Sequence, residues 1–128
     1  MDKQKIHLEY GLNATSKTIL WNAISTPMGL EGWFADRVDS DGRQVTFHWG
    51  KTETRQAEVG AMRAYSFIRF HWLDEGISRG QFELKMSYSE LTTDFVLEVT
   101  DYCYPDDVDD LCEIWDKSVK TLRQTCGF

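Results

Sequence analysis

The 128-residue sequence predicts an α+β fold: a curved antiparallel sheet of six to seven strands wrapped round one long C-terminal helix, with two short helices after the first strand. Three observations predict it. First, Asp106 to Cys126 carries one narrow apolar stripe at helical spacing, made of Val108, Leu111, Cys112, Trp115, Val119, Leu122 and Cys126. Second, from Val45 to Thr100 apolar residues alternate with period two, in runs separated by short turns, which is the pattern of an antiparallel meander. Third, the two patterns need each other. A helix with a single apolar stripe must lie on one large apolar surface, and six or seven twisted strands curl into such a surface. A helix of about 20 residues, roughly 30 Å long, can lie across the concave face.

Each element has its own signal. Ile6, Leu8, Tyr10 and Leu12 alternate with Lys5, His7, Glu9 and Gly11, as in a strand with one buried face. Thr15 or Ser16 can cap a short helix that carries Ile19, Leu20, Ala23 and Ile24 on one side. Thr26-Pro27 starts a second helix, because proline suits the first helical position; Met28, Leu30, Trp33 and Phe34 follow, ending near Ala35-Asp36. Asp39-Ser40-Asp41-Gly42 reads as a turn. The strands then run through Val45, Phe47 and Trp49; through Ala57, Val59 and Ala61, with Gly60 as a bulge; and through Tyr65 to Leu73. A turn at Asp74-Glu75-Gly76 precedes Phe82, Leu84, Met86 and Tyr88, and then Phe95, Leu97 and Val99. Pro105 stops the last strand, and Asp106 or Asp107 can cap the long helix. Carboxylates fill its first half and cations its second, in keeping with the helix dipole, and Gly127 suits a left-handed C-terminus. Glu113–Lys117 and Asp116–Lys120 stand at the favourable ion-pair spacing.

Composition narrows the function classes. A formal net charge of −7 argues against a nucleic-acid or anionic-membrane binder, since both need a positive field. No apolar run reaches the length of a membrane span, and none follows Met1-Asp2-Lys3-Gln4-Lys5, so no signal peptide is expected. Three cysteines, an odd number, fit a reducing compartment, and the expected location is cytoplasmic. One domain, residues 1–128, accounts for the length.

Ala14-Thr15-Ser16, Leu20-Trp21, Thr26-Pro27, the run Leu30-Glu31-Gly32-Trp33-Phe34-Ala35-Asp36, Ile68-Arg69-Phe70-His71-Trp72, Leu91-Thr92-Thr93 and Trp115 together resemble the START-like, or helix-grip (SRPBCC), superfamily. That superfamily includes the birch-pollen allergen fold and the polyketide cyclases. Within it, the likeness is to the branch named after the activator of a heat-shock protein's ATPase. Coverage is nearly the whole chain, and the Trp33-Phe34 pair is its most specific part. The resemblance implies the helix-grip arrangement. It also implies either a ligand held between sheet and helix or, as in the activator branch, a protein partner.

Catalytic and metal signals are absent from the sequence. His7, His48 and His71 are far apart and fall on polar strand phases, without the clustered spacing of a zinc site, so no metal is expected. No Cys–His pair and no glycine-rich phosphate loop occurs, and neither catalytic residues nor a cofactor are expected. The aromatic load is the informative feature, at 13% of residues. It either fills a core or lines an apolar cavity, within which Tyr, His or Arg69 would orient a ligand. The pleat sets the expected walls of such a cavity: Phe47, Trp49, Ile68, Phe70, Trp72, Phe82, Leu84, Met86, Phe95 and Leu97, with Cys112, Trp115 and Val119 from the helix. Its open part is expected near the small helix residues Cys112, Val119 or Cys126 rather than beside Trp115. The function expected is a non-catalytic module that binds a small apolar or aromatic ligand. A protein-interaction module, homodimer included, is the alternative, and a cyclase- or hydrolase-like enzyme a weaker one.

Overall fold

A computed structural model describes residues 3–73 and 80–128. Among these, the alternating runs form seven strands: β1 Gln4–Gly11, β2 Arg37–Asp41, β3 Gln44–Trp49, β4 Glu53–Arg63, β5 Phe67–Trp72, β6 Gln81–Ser89 and β7 Asp94–Cys103. They make one antiparallel sheet in the order β1-β7-β6-β5-β4-β3-β2. The first two strands in the chain therefore stand at opposite edges. Helices α1 (Lys17–Ser25) and α2 (Pro27–Leu30) carry the chain from one edge to the other. Ser16 caps α1 by accepting from the Ile19 N–H, and Thr26 caps α2 by accepting from the Gly29 N–H.

Period-two alternation decides which face is buried. In β5, Ile68, Phe70 and Trp72 point inward, while Phe67, Arg69 and His71 face away. Phe82, Leu84 and Met86 of β6 and Leu97 and Val99 of β7 continue the same buried surface. The C-terminal helix α3 (Val108–Cys126) lies on this surface through Trp115, Val119 and Leu122. Burying each large apolar side chain stabilises the fold by roughly 1.5–3 kcal/mol. Two hydrogen bonds tie α3 to β1 as well: the Tyr10 hydroxyl donates to Asp116 Oδ1 at 2.6 Å, and Arg123 donates to the Gly11 carbonyl at 2.9 Å. This is the helix-grip architecture.

Several local expectations are corrected. The supposed turn Asp39–Gly42 contains most of β2, and only Gly42, at φ +63°, and Arg43 turn the chain into β3. The second helix ends at Leu30 rather than near Ala35, because Glu31 leaves it in an extended conformation. Ile19, expected on the apolar side of α1, is exposed, as is Met28 of α2. Pro105–Asp107 forms a 3-10 turn before α3, and Asp107 caps without a side-chain hydrogen bond. Glu113–Lys117 pairs at 3.2 Å, whereas Asp116 is engaged by Tyr10. The bulge lies at Gly60, where the β4–β5 register shifts; a Cβ there would fall 2.1 Å from the His71 ring, which would have to move to admit a side chain. Gly127 takes φ +72° and closes α3 as its sequence position suggested. The Asp74-Glu75-Gly76 turn lies outside the described residues.

Candidate functional site: a tryptophan-lined cleft beside the C-terminal helix

The interior between sheet and helix is filled with rings. Phe34 reaches in from the segment after α2 and packs 4.9 Å from Phe47 and 5.1 Å from Phe82, centroid to centroid. Phe82 in turn stacks on Phe70 at 4.9 Å and meets Trp72 at 5.1 Å and Trp115 at 5.9 Å. Edge-to-face and offset geometries of this kind add to the stabilisation from burial.

At one end of this cluster the packing opens into a cleft of about 680 Å³, between α3, residues 32–36 and the Trp49–Trp72 side of the sheet. That volume lies within the roughly 300–1,000 Å³ of small-molecule sites. Trp33, Phe34, Trp49, Trp72 and Trp115 form its apolar wall. Hydrogen bonds fix three of the four indoles: Trp33 Nε1 donates to the Ala23 carbonyl at 2.9 Å, Trp49 Nε1 to the Phe34 carbonyl at 2.7 Å, and Trp115 Nε1 to Asp101 Oδ2 at 2.9 Å. The Arg55 guanidinium sits 3.7 Å above the Trp72 ring, a cation–π contact. Asp101, at the junction with a neighbouring hollow of about 380 Å³, also accepts from the Tyr102 N–H at 2.7 Å. Burial holds its carboxyl above the ordinary aspartate range, against the opposing pull of the Trp115 and Tyr102 hydrogen bonds and of the Arg55 and Lys3 charges. Ser118 and Thr121 of α3 complete the polar rim. An apolar wall with a few convergent polar groups and a perturbed carboxyl is suited to holding and orienting a small molecule.

The family model described as a START-like superfamily domain matches residues 1–128. The chain belongs to the START-like superfamily. Among solved structures, it is 67% identical to a Bacteroides fragilis protein determined by solution NMR, covering 100% of this chain and 94% of that one with a TM-score of 0.68. The Aha1 dimer of Colwellia psychrerythraea shares 14% identity over 95% of this chain and 92% of that one, with a TM-score of 0.72. DynU16, a protein of the dynemicin biosynthetic locus, shares 18% identity over 94% of this chain but 46% of its own, with a TM-score of 0.77. The last two show likeness of fold. No curated protein sequence matches the chain. Among the described residues, no helix is long and apolar enough to cross a membrane.

In this START-like domain, Trp49, Trp72 and Trp115 of the expected cavity walls line the cleft. Phe47, Ile68, Phe70, Phe82, Leu84, Met86, Leu97 and Val119 are buried in the packed core, with Phe95 half-buried against it and Cys112 half-buried on α3. The cleft opens beside Trp115, not at Val119, which is fully buried. On α3 the cleft is lined by Leu111, Ile114, Trp115 and Lys117 as well as by the smaller Ser118 and Thr121, one row over from the apolar stripe. Cys126 borders a separate groove with Ile19 and Met28. Arg69, expected inside, faces away from α3 and donates to Glu83 at 2.8 and 3.1 Å. Arg55 carries no sequence signal, and Asp101 shows in the sequence only as the first carboxylate of the acidic run Asp101, Asp106, Asp107, Asp109, Asp110 and Glu113, whose simplest reading is a solvated helix start.

Proposed function

We propose that this START-like domain is a non-catalytic binding module that holds a small apolar or aromatic ligand in the Trp33–Trp49–Trp72–Trp115 cleft. The observation that carries the reading is the lining: indole walls pinned by hydrogen bonds, with Asp101 and Arg55 placed to orient a polar group of the ligand. The test is titration with an apolar fluorescent probe, followed by energy transfer from tryptophan, alongside native mass spectrometry of the protein as purified. Wild type should bind. Thr121→Trp or Ser118→Trp should fill the cleft and expel the probe with the melting midpoint kept, because both positions are half-exposed. A wild type that binds no probe and carries no small molecule overturns the reading. Val119→Trp is unsuited to this test, since it would overpack the core at a cost of about 1–3 kcal/mol.

A protein-interaction role is the second reading, favoured by Met28 and Ile19, which are 86% and 50% exposed at the rim of the groove beside Cys126. The Colwellia relative is a dimer, so self-association is its simplest form. Light scattering across concentration, with Met28→Glu as the disrupting variant, separates it from ligand binding. A cyclase- or hydrolase-like activity would have to rely on Asp101, the titratable group in the cleft with a raised pKa.

A further inference from the structure

On the sheet face turned away from α3, Glu9 of β1 stands directly opposite Glu98 of β7. Like charges in that position repel, and Lys85 of β6, opposite Glu98 on its other side, offsets only part of that repulsion. His7, two residues before Glu9 on the same face, brings its imidazole between them. His7 Nε2 lies 3.4 Å from Glu9 Oε1 and 3.3 Å from Glu98 Oε1, and the three donor atoms lie within 4.8 Å of one another. Its other nitrogen, Nδ1, is 3.3 Å from Thr100 Oγ1, the residue opposite His7 across the same strand pair. With the Nδ1–H turned to Thr100, Nε2 presents a lone pair toward two carboxylate oxygens.

Lys85, opposite Glu98 on β6, supplies positive charge on the same face, but only a proton on the imidazole or a metal ion can sit between Nε2 and both carboxylates. A charge-assisted hydrogen bond from Nε2 would draw one oxygen to about 2.7–2.9 Å, and neither carboxylate lies that close. Ligands held about 2.0–2.1 Å from a tetrahedral zinc stand about 3.3 Å apart, which matches both distances to Nε2. The ligand types, one imidazole and two carboxylates, suit a divalent transition metal, and a Thr100 partner on Nδ1 is the kind of support that orients a ligating histidine. All four side chains spring from two paired strands, which hold them more firmly than loops would.

We propose that His7, Glu9 and Glu98 form a divalent transition-metal site, best matched by zinc, with water completing the tetrahedron and Thr100 orienting the histidine. Nothing in the sequence reveals it, because Glu98 joins the other two through strand pairing alone. The site is independent of the cleft. The test is a zinc titration of chelator-treated protein, read by calorimetry and by the imidazole nitrogens of the histidines in NMR spectra. The expected result is one equivalent of zinc that moves His7 Nε2 while leaving His48 and His71 in place. His7→Ala and Glu98→Gln should each weaken binding by about tenfold or more, and Thr100→Val by roughly tenfold. Glu98→Gln gives up the repulsion from Glu9 together with the attraction of Lys85, so it should fold about as well as wild type without metal. Zinc that shifts His48 or the cysteines but not His7, equal affinity in Glu98→Gln, or no binding at all would overturn the proposal.

Discussion

The surroundings of Asp101 pull its carboxyl in opposite directions. Desolvation by burial raises its pKa, while the Trp115 indole, the Tyr102 N–H and the charges of Arg55 and Lys3 favour the anion; burial prevails. The sign of the consequence follows from linkage. The folded state binds this proton more tightly than the unfolded chain does, so its contribution is fully present below the ordinary aspartate pKa. That contribution is lost as pH rises through the raised value. Asp101→Asn keeps the shape and stays neutral. Its stability relative to wild type should therefore climb with pH across that window and level off above it, as read by denaturant unfolding over the carboxyl range. A difference that does not vary with pH would show that the carboxyl is as well solvated folded as unfolded. The same residue faces the cleft, so the neutral form would donate a hydrogen bond to a ligand and the anion would accept one.

Among elements, α3 has the most varied duties. Its stripe closes the core with Trp115, Val119 and Leu122, its neighbouring row rims the cleft with Ser118 and Thr121, and Tyr10 and Arg123 fasten it to β1. Trp115 belongs to both surfaces, being 4% exposed while contributing to the cleft wall. Trp115→Ala should destabilise the protein by about 3–5 kcal/mol, because it leaves a large void against Phe34 and Phe82. It also strips Asp101 of its indole donor. Chemical denaturation with a midpoint near that of wild type would mean that the helix does not grip the sheet through this residue. The bulge in β4 matters at the same scale. By giving His71 room over Gly60, it lets β4 and β5 stay paired on either side of the shift.

The whole molecule holds together without cross-links among its described residues. Cys103, Cys112 and Cys126 are all free thiols. Burial pushes the Cys103 and Cys126 thiols up, away from the reactive thiolate. Cys112 and Cys126 sit on one helix, 14 residues and about 21 Å apart along it, far beyond the roughly 7 Å limit on the Cα separation of a disulfide. Stability should therefore be the same with and without reductant, and mass mapping should find three unpaired thiols. A Cys112–Cys126 disulfide would require α3 to unwind.

The sequence by itself determined the secondary structure class of nearly every segment, the buried face of the central and C-terminal strands, the stripe on α3 and the caps at Ser16, Thr26 and Gly127. These are local or periodic properties, so neighbouring residues suffice to state them. It could not separate filled core from open wall. Phe47 and Trp49 share one strand phase, yet one is fully buried and the other edges the cleft, because Phe34 arrives from a distant turn and occupies the interior. Nor could it place Arg55 and Asp101 on either side of Trp72, or set Glu98 opposite Glu9, since strand order and register bring these groups together from far along the chain. Periodicity says which way a side chain points; what it meets there was decided by how the sheet closes on the helix.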